Sequence, residues 1–160
     1  MPNWTFVCVN VSGPAEQVDV IEDLFDAGQP FDRLIPMPKE LGEHAPDGFG
    51  SGASPPEVRQ ALERKYGYAS SYQWRMDHWN SKWDADSIIT RRAGNSLEIS
   101  FQSAFDFPYP IFEELCRRFP GCEINVSANW EAFGQGKLSG RNNGGEFSYA
   151  IRYSAGEDHA

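Results

Sequence analysis

The chain has 160 residues, 40% apolar and 23% charged, the composition of a globular rather than a disordered chain. Its net charge of −9 argues against direct nonspecific binding of nucleic acid, which rests on Lys and Arg neutralising phosphates. No stretch approaches the ~20 apolar residues that span a bilayer, and no basic segment followed by an apolar run opens the chain, so a cytoplasmic protein without a membrane partner is expected.

Residues 4–12 alternate as a strand that Gly13-Pro14 stops. A helix is predicted over 15–27: Val18, Ile21, Leu24 and Phe25 share one face, and Gly28 ends it. Residues 29–54, rich in Pro and Gly, read as a long loop with a short extended piece near Phe31–Ile35. Ser54-Pro55-Pro56-Glu57 has the form of a capping box before a helix with Val58, Leu62 and Tyr66 on one stripe. A shorter helix covers about 70–80. The pattern then turns to strands at Asp86–Arg92 and Ser96–Ser103 around an Ala93-Gly94-Asn95 hairpin turn. Pro108 and Pro110 open another helix, closed by Pro120-Gly121. A strand follows at 124–130, another at 137–141 between turns at Gly134–Gly136 and Asn142–Gly145, and a last one at 147–153. With residues 29–84 set aside as a helical insertion, this order predicts an α+β fold. It is that of a ferredoxin-like split βαβ antiparallel sheet with an extra C-terminal hairpin. Residues 1–154 are expected to form one domain and 155–160 a flexible tail.

Charge is uneven along the chain. Residues 1–32 carry six acids and no Lys or Arg. Five of these acids, Glu16, Asp19, Glu22, Asp23 and Asp26, recur at three- and four-residue steps on the first helix, so neighbours lie about 5–6 Å apart between Cβ atoms. Such a row can imitate a phosphate backbone; it is also what an ordinary solvated helix face looks like.

The segment Trp79-Asn80-Ser81-Lys82-Trp83-Asp84 is the most distinctive string. Trp79 and Trp83 could stack a base or ring, with Lys82 on a phosphate and Asp84 on a ribose or amine. The same residues could instead plug the edge of the core and satisfy a loop. His78 with Asp84 and Asp86 is the least implausible acid–base or metal set, but His44 and His159 lie far away in sequence and no nucleophile, base and oxyanion donors can be assembled. No enzyme activity, metal or cofactor is therefore expected. Cys8, Cys116 and Cys122 suit free thiols. Cys8, between two valines, is expected in the core with Cys116, and Cys122 nearer solvent. Gly48-Phe49-Gly50-Ser51-Gly52 lacks the Lys-Ser/Thr of a phosphate loop.

Several strings occur together: Met1-Pro2-Asn3-Trp4; Ile35-Pro36-Met37-Pro38-Lys39-Glu40-Leu41; His78-Trp79-Asn80-Ser81-Lys82-Trp83-Asp84-Ala85; and Phe101-Gln102-Ser103-Ala104-Phe105-Asp106-Phe107-Pro108. In these the chain resembles the YubB-like, ferredoxin-like-domain proteins of phages, plasmids and their bacterial hosts. It departs from that pattern at Thr5, where Cys is frequent, at Asn80-Ser81, usually Gly-Thr, and at Ser103-Ala104-Phe105, frequently Thr-Ala-Trp. The resemblance implies a ferredoxin-like fold and a mobile-element setting, with no settled activity. The expectation is then an accessory binding protein that engages a host protein, itself nucleic-acid-binding or part of a defence system, through the acidic helix. The alternative is a module that binds a nucleotide or small ligand at Trp79–Asp84.

Overall fold

A computed structural model describes residues 3–44, 55–130 and 135–153. Met1-Pro2, Ser54 of the expected capping box, the Gly48–Gly52 loop, Gly134 and the 155–160 tail lie outside the described residues.

The alternating segments form a six-stranded antiparallel sheet of order β2-β3-β1-β4-β5-β6. Its strands are β1 (Trp4–Ser12), β2 (Asp86–Ala93), β3 (Ser96–Ala104), β4 (Glu123–Trp130), β5 (Gly136–Asn143) and β6 (Glu146–Tyr153). β3 lies between β1 and β2 and pairs antiparallel with both. β4 pairs with the other edge of β1, and the β5–β6 hairpin extends the sheet from β4. The architecture is α+β.

Period-two alternation decides which face is covered. Val7, Val9 and Val11, Leu97, Ile99 and Phe101, and Ile124, Val126 and Ala128 point into the core, each at most 4% exposed. Their neighbours Cys8, Asn10, Glu98, Asn125, Ser127 and Asn129 do not share that burial. The helices lie on the first face. α1 (Ala15–Asp26) buries Val18, Ile21 and Phe25, and α6 (Tyr109–Arg118) buries Ile111, Phe112, Leu115 and Cys116. Each such side chain contributes about 1.5–3 kcal/mol relative to exposure.

Between α1 and β2 the chain adds α2 (Pro30–Leu34), α3 (Lys39–His44), α4 (Pro56–Tyr66) and α5 (Ser71–Trp79). Two of these correct the expectation of an irregular loop with an extended piece at Phe31–Ile35. That piece is helical because Pro30 presets the first turn and because Asp84, far along the chain, accepts the N–H groups of Phe31 and Asp32. α3 starts after Pro38, whose carbonyl accepts the Leu41 N–H, and Leu41 is fully buried. α4 is preceded by Pro55 with no side-chain cap. Asn142 and Asn143, expected in a turn, belong to β5; the reversal is made by Gly144 and Gly145 at φ 66 and 108.

Candidate functional site

The acids of α1 divide into two rows. Asp19, Glu22 and Asp26 face β2. There Arg92 Nη1 lies 2.8 Å from Asp19 and 3.8 Å from Glu22, and the Thr90 hydroxyl donates to Asp26. Glu16 and Asp23 form the outer row with Val20 between them, and neither has a partner among the described residues. Sequence reasoning treats the five acids as one free surface; β2 neutralises part of it. Arg92 is distant in sequence, so nothing local to α1 announces it. Val20 was missed as well. It is 49% exposed at the centre of the outer row, and its position off the buried stripe of Val18, Ile21 and Phe25 is readable from helical period alone.

The Trp79–Asp84 segment is mostly consumed by the fold. Trp79 is 3% exposed, donates its indole N–H to the Ile35 carbonyl at 2.9 Å, and meets Phe31 and Trp74 edge-on. Asn80 takes the left-handed conformation that ends α5 and donates to the Phe107 carbonyl at 2.9 Å. The Ser81 hydroxyl donates to Trp83 and Ala104 carbonyls at 2.6 and 3.2 Å. Asp84 accepts the N–H groups of Phe31 (3.0 Å), Asp32 (2.9 Å) and Ala85 (2.8 Å). Burial pushes its carboxyl upward in pKa, the three N–H groups hold it down, and nearby Asp32 adds to the rise. Two members of the segment keep accessible groups. Trp83 is exposed beside Trp4, ring centroids 5.9 Å apart, and Lys82 holds its ammonium 5.9 Å from the Phe105 ring centroid. Trp79 and Trp83 therefore do not form one stacking surface.

His78 stacks on Trp74 at 4.1 Å, and its Nδ1 lies 2.9 Å from the Trp74 carbonyl oxygen. Among the described residues no three His, Cys, Asp or Glu side chains are grouped to hold a metal ion. Cys8 is exposed on the uncovered sheet face and Cys122 is buried, which reverses the expectation for both; Cys116 is buried as expected. Cys122 is covered because it packs on Gly13 and lies 3.2 Å from the Gln17 side-chain oxygen. Burial pushes the thiols of Cys116 (to about 11) and Cys122 upward. No helix among the described residues is long and apolar enough to cross a membrane.

No family model matches the sequence, and no curated protein matches it either. Among solved structures the fold is similar to that of the protein api92 from Yersinia pseudotuberculosis, of the family model DUF1281. The TM-score is 0.60 over 98% of this chain and 99% of that one, at 14% sequence identity. At that identity the likeness is one of fold.

Proposed function

We propose that the chain is an accessory binding protein of a mobile genetic element, working in the cytoplasm of a bacterial host without catalysis. Its α1 face would occupy the basic surface of a host protein that binds nucleic acid. In this reading β1, α1, β2, β3, α6 and β4 make one ferredoxin-like core, with the α2–α5 helices inserted and the β5–β6 hairpin appended. Supporting that part is the strand order, in which β3 lies between β1 and β2 and β4 flanks β1.

The observation that carries the binding reading is the outer row of α1. Glu16, Val20 and Asp23 lie at i, i+4 and i+7, with the exposed Asp19 and Asp26 beside them. An exposed β-branched side chain at mid-helix gains nothing from solvent and costs helix propensity. Framed by carboxylates it has the form of a small interface centre, apolar in the middle and charged at the rim. The nucleotide-site alternative is not favoured, because Trp79, Asn80, Ser81 and Asp84 are engaged in internal hydrogen bonds.

The test uses Glu16→Lys with Asp23→Lys, which leaves the Asp19–Arg92 and Asp26–Thr90 contacts in place. Wild type and variant are immobilised and exposed to nuclease-treated host lysate. A protein held by wild type, lost from the variant and released by added DNA or RNA would support the reading. Equal capture by both, or capture insensitive to nucleic acid, would reject it.

A further inference from the structure

The β4–β5–β6 end of the sheet carries an aromatic cleft unrelated to the α1 face. Trp130, Gly136 and Tyr153 are cross-strand partners on one rung. Gly136 leaves room that no other residue would: a Cβ there would stand 2.0 Å from Trp130 Cζ2. The indole therefore lies across the glycine backbone, and Tyr153 meets it from the next strand at 6.4 Å between centroids and 77° between planes. These are two aromatic walls near a right angle. Tyr109, at the start of α6, supplies a third and is itself 4.9 Å from Tyr149. With Phe105, Asp106 and Ile151 they line an open cleft of about 190 Å³.

One carboxylate, that of Asp106, lines this space, and the Lys82 ammonium stands at its Phe105 edge. Asp106 accepts the Phe107 N–H at 2.6 Å, and no Lys or Arg pairs with it among the described residues. Burial, with Asp106, Tyr149 and Tyr153 adding, pushes the Tyr109 hydroxyl up to about 12, so it stays a neutral phenol. Lys82 stands by the Phe105 ring, whereas no cation stands over Trp130, Tyr109 or Tyr153 among the described residues. Ring faces are negative and attract cations. An anion would be repelled by Asp106 and by the net charge of −9. A small, strongly hydrated metal ion would find one carboxylate where it needs several oxygens. The occupant that fits is a weakly hydrated organic cation.

We propose that the cleft of Trp130, Tyr153, Tyr109 and Asp106 binds a trimethylammonium group. The rings would surround the methyl groups, and the Asp106 carboxylate would face the charge.

The experiment titrates the full chain with choline and with 3,3-dimethylbutan-1-ol, its uncharged carbon isostere, by calorimetry and by the indole N–H resonances. Choline should bind about tenfold more tightly than the isostere, a difference within the range of desolvated cation–π contacts. The Trp130 indole signal should shift. Asp106→Asn, which keeps an oxygen for the Phe107 N–H, and Tyr153→Leu, at a 60% exposed position, should each weaken choline about fivefold or more without lowering the melting temperature. Nε-trimethyllysine in a short peptide is titrated alongside; binding tighter than choline assigns the group to a protein partner, and weaker binding assigns it to a free metabolite. Equal affinity for choline and its isostere, no binding of choline at millimolar concentration, or unchanged binding in both variants would overturn the proposal.

Discussion

Replacing Asp84 by Ala removes one side chain and strands three backbone donors. Its Oδ1 accepts from Phe31 and Ala85, and its Oδ2 from Asp32. Two of those donors belong to the first turn of α2, where no helical carbonyl can reach them. Hydrogen bonds to an ionised acceptor contribute roughly 1.5–3 kcal/mol each before the carboxylate's own desolvation is subtracted. With burial opposing them, a net of about 3 kcal/mol for the set is the expected loss. The damage should spread, because fully buried Phe31 packs on Trp79 and Phe101 from this anchored turn. Asp84→Asn separates the two effects. The amide oxygen can keep the Phe31 and Ala85 bonds, the NH₂ faces the Asp32 N–H, and the buried charge is gone. A loss of about 1 kcal/mol is expected there.

The pH dependence gives the sharper check. The Asp84 carboxyl is raised above the ordinary carboxylate range, with burial the main cause. An acid with a raised folded pKa holds its proton more tightly in the folded chain. Its contribution to stability is therefore complete below the unfolded carboxylate range and is lost as pH rises through the folded value. Urea unfolding from pH 3 to pH 7 should show wild type exceeding Asp84→Asn most at the acid end, with the gap narrowing toward neutrality. A gap that widens with pH would mean that the three N–H groups outweigh burial. An Asp84→Ala loss below about 0.5 kcal/mol would mean that packing alone holds α2.

Thr5 and Ser103 face each other across β1 and β3, both fully buried and both without a hydrogen-bond partner for the hydroxyl among the described residues. Thr5→Val should therefore stabilise the chain by about 1 kcal/mol in urea unfolding, and a loss of that size would show the hydroxyl to be satisfied. Of the three thiols, Cys8 alone is exposed; one equivalent should react rapidly with a thiol reagent in the native chain, and Cys8→Ser should abolish that phase. Glu114 is drawn down to about 2, first by its bond to Arg117 and then by Arg118, against some burial. Its contribution is present above the usual carboxylate range and lost as pH falls toward 2, so Glu114→Gln should remove part of the acid-side slope of stability.

Local periodicity reached the strands and the two sheet-covering helices because each buries a stripe that its own sequence spells out. It reached less far where a partner is remote. Phe31–Ile35 has too few residues to show a helical stripe, and the carboxylate that holds its first turn belongs to Asp84. The same limit hid the pairing of Arg92 with Asp19 and Glu22. Cys8 is a different case. Its valine neighbours suggested the core, yet in a strand adjacent residues point to opposite faces, so burial of Val7 and Val9 places Cys8 outside.

The β5 glycines carry the same lesson toward the candidate cleft. A glycine inside a strand weakens it by roughly 0.5–1 kcal/mol relative to Ala, and the usual compensation is close approach by another group. Gly136 lies under Trp130, and Gly140 under Phe147, where an added Cβ would fall 2.4 Å from the ring. Phe147 in turn stacks with Phe107 and contacts Phe112 of α6. Gly140 thus fastens the hairpin to the core, whereas Gly136 orients the indole that walls the cleft beside Tyr153. From sequence, Gly136 reads as the end of a turn and Gly140 as an interior residue of the strand at 137–141. The distinction depends on which ring the strand register sets above each of them: at Gly140 the packing is internal, and at Gly136 it leaves an aromatic surface beside Asp106, whose carboxylate meets no Lys or Arg among the described residues.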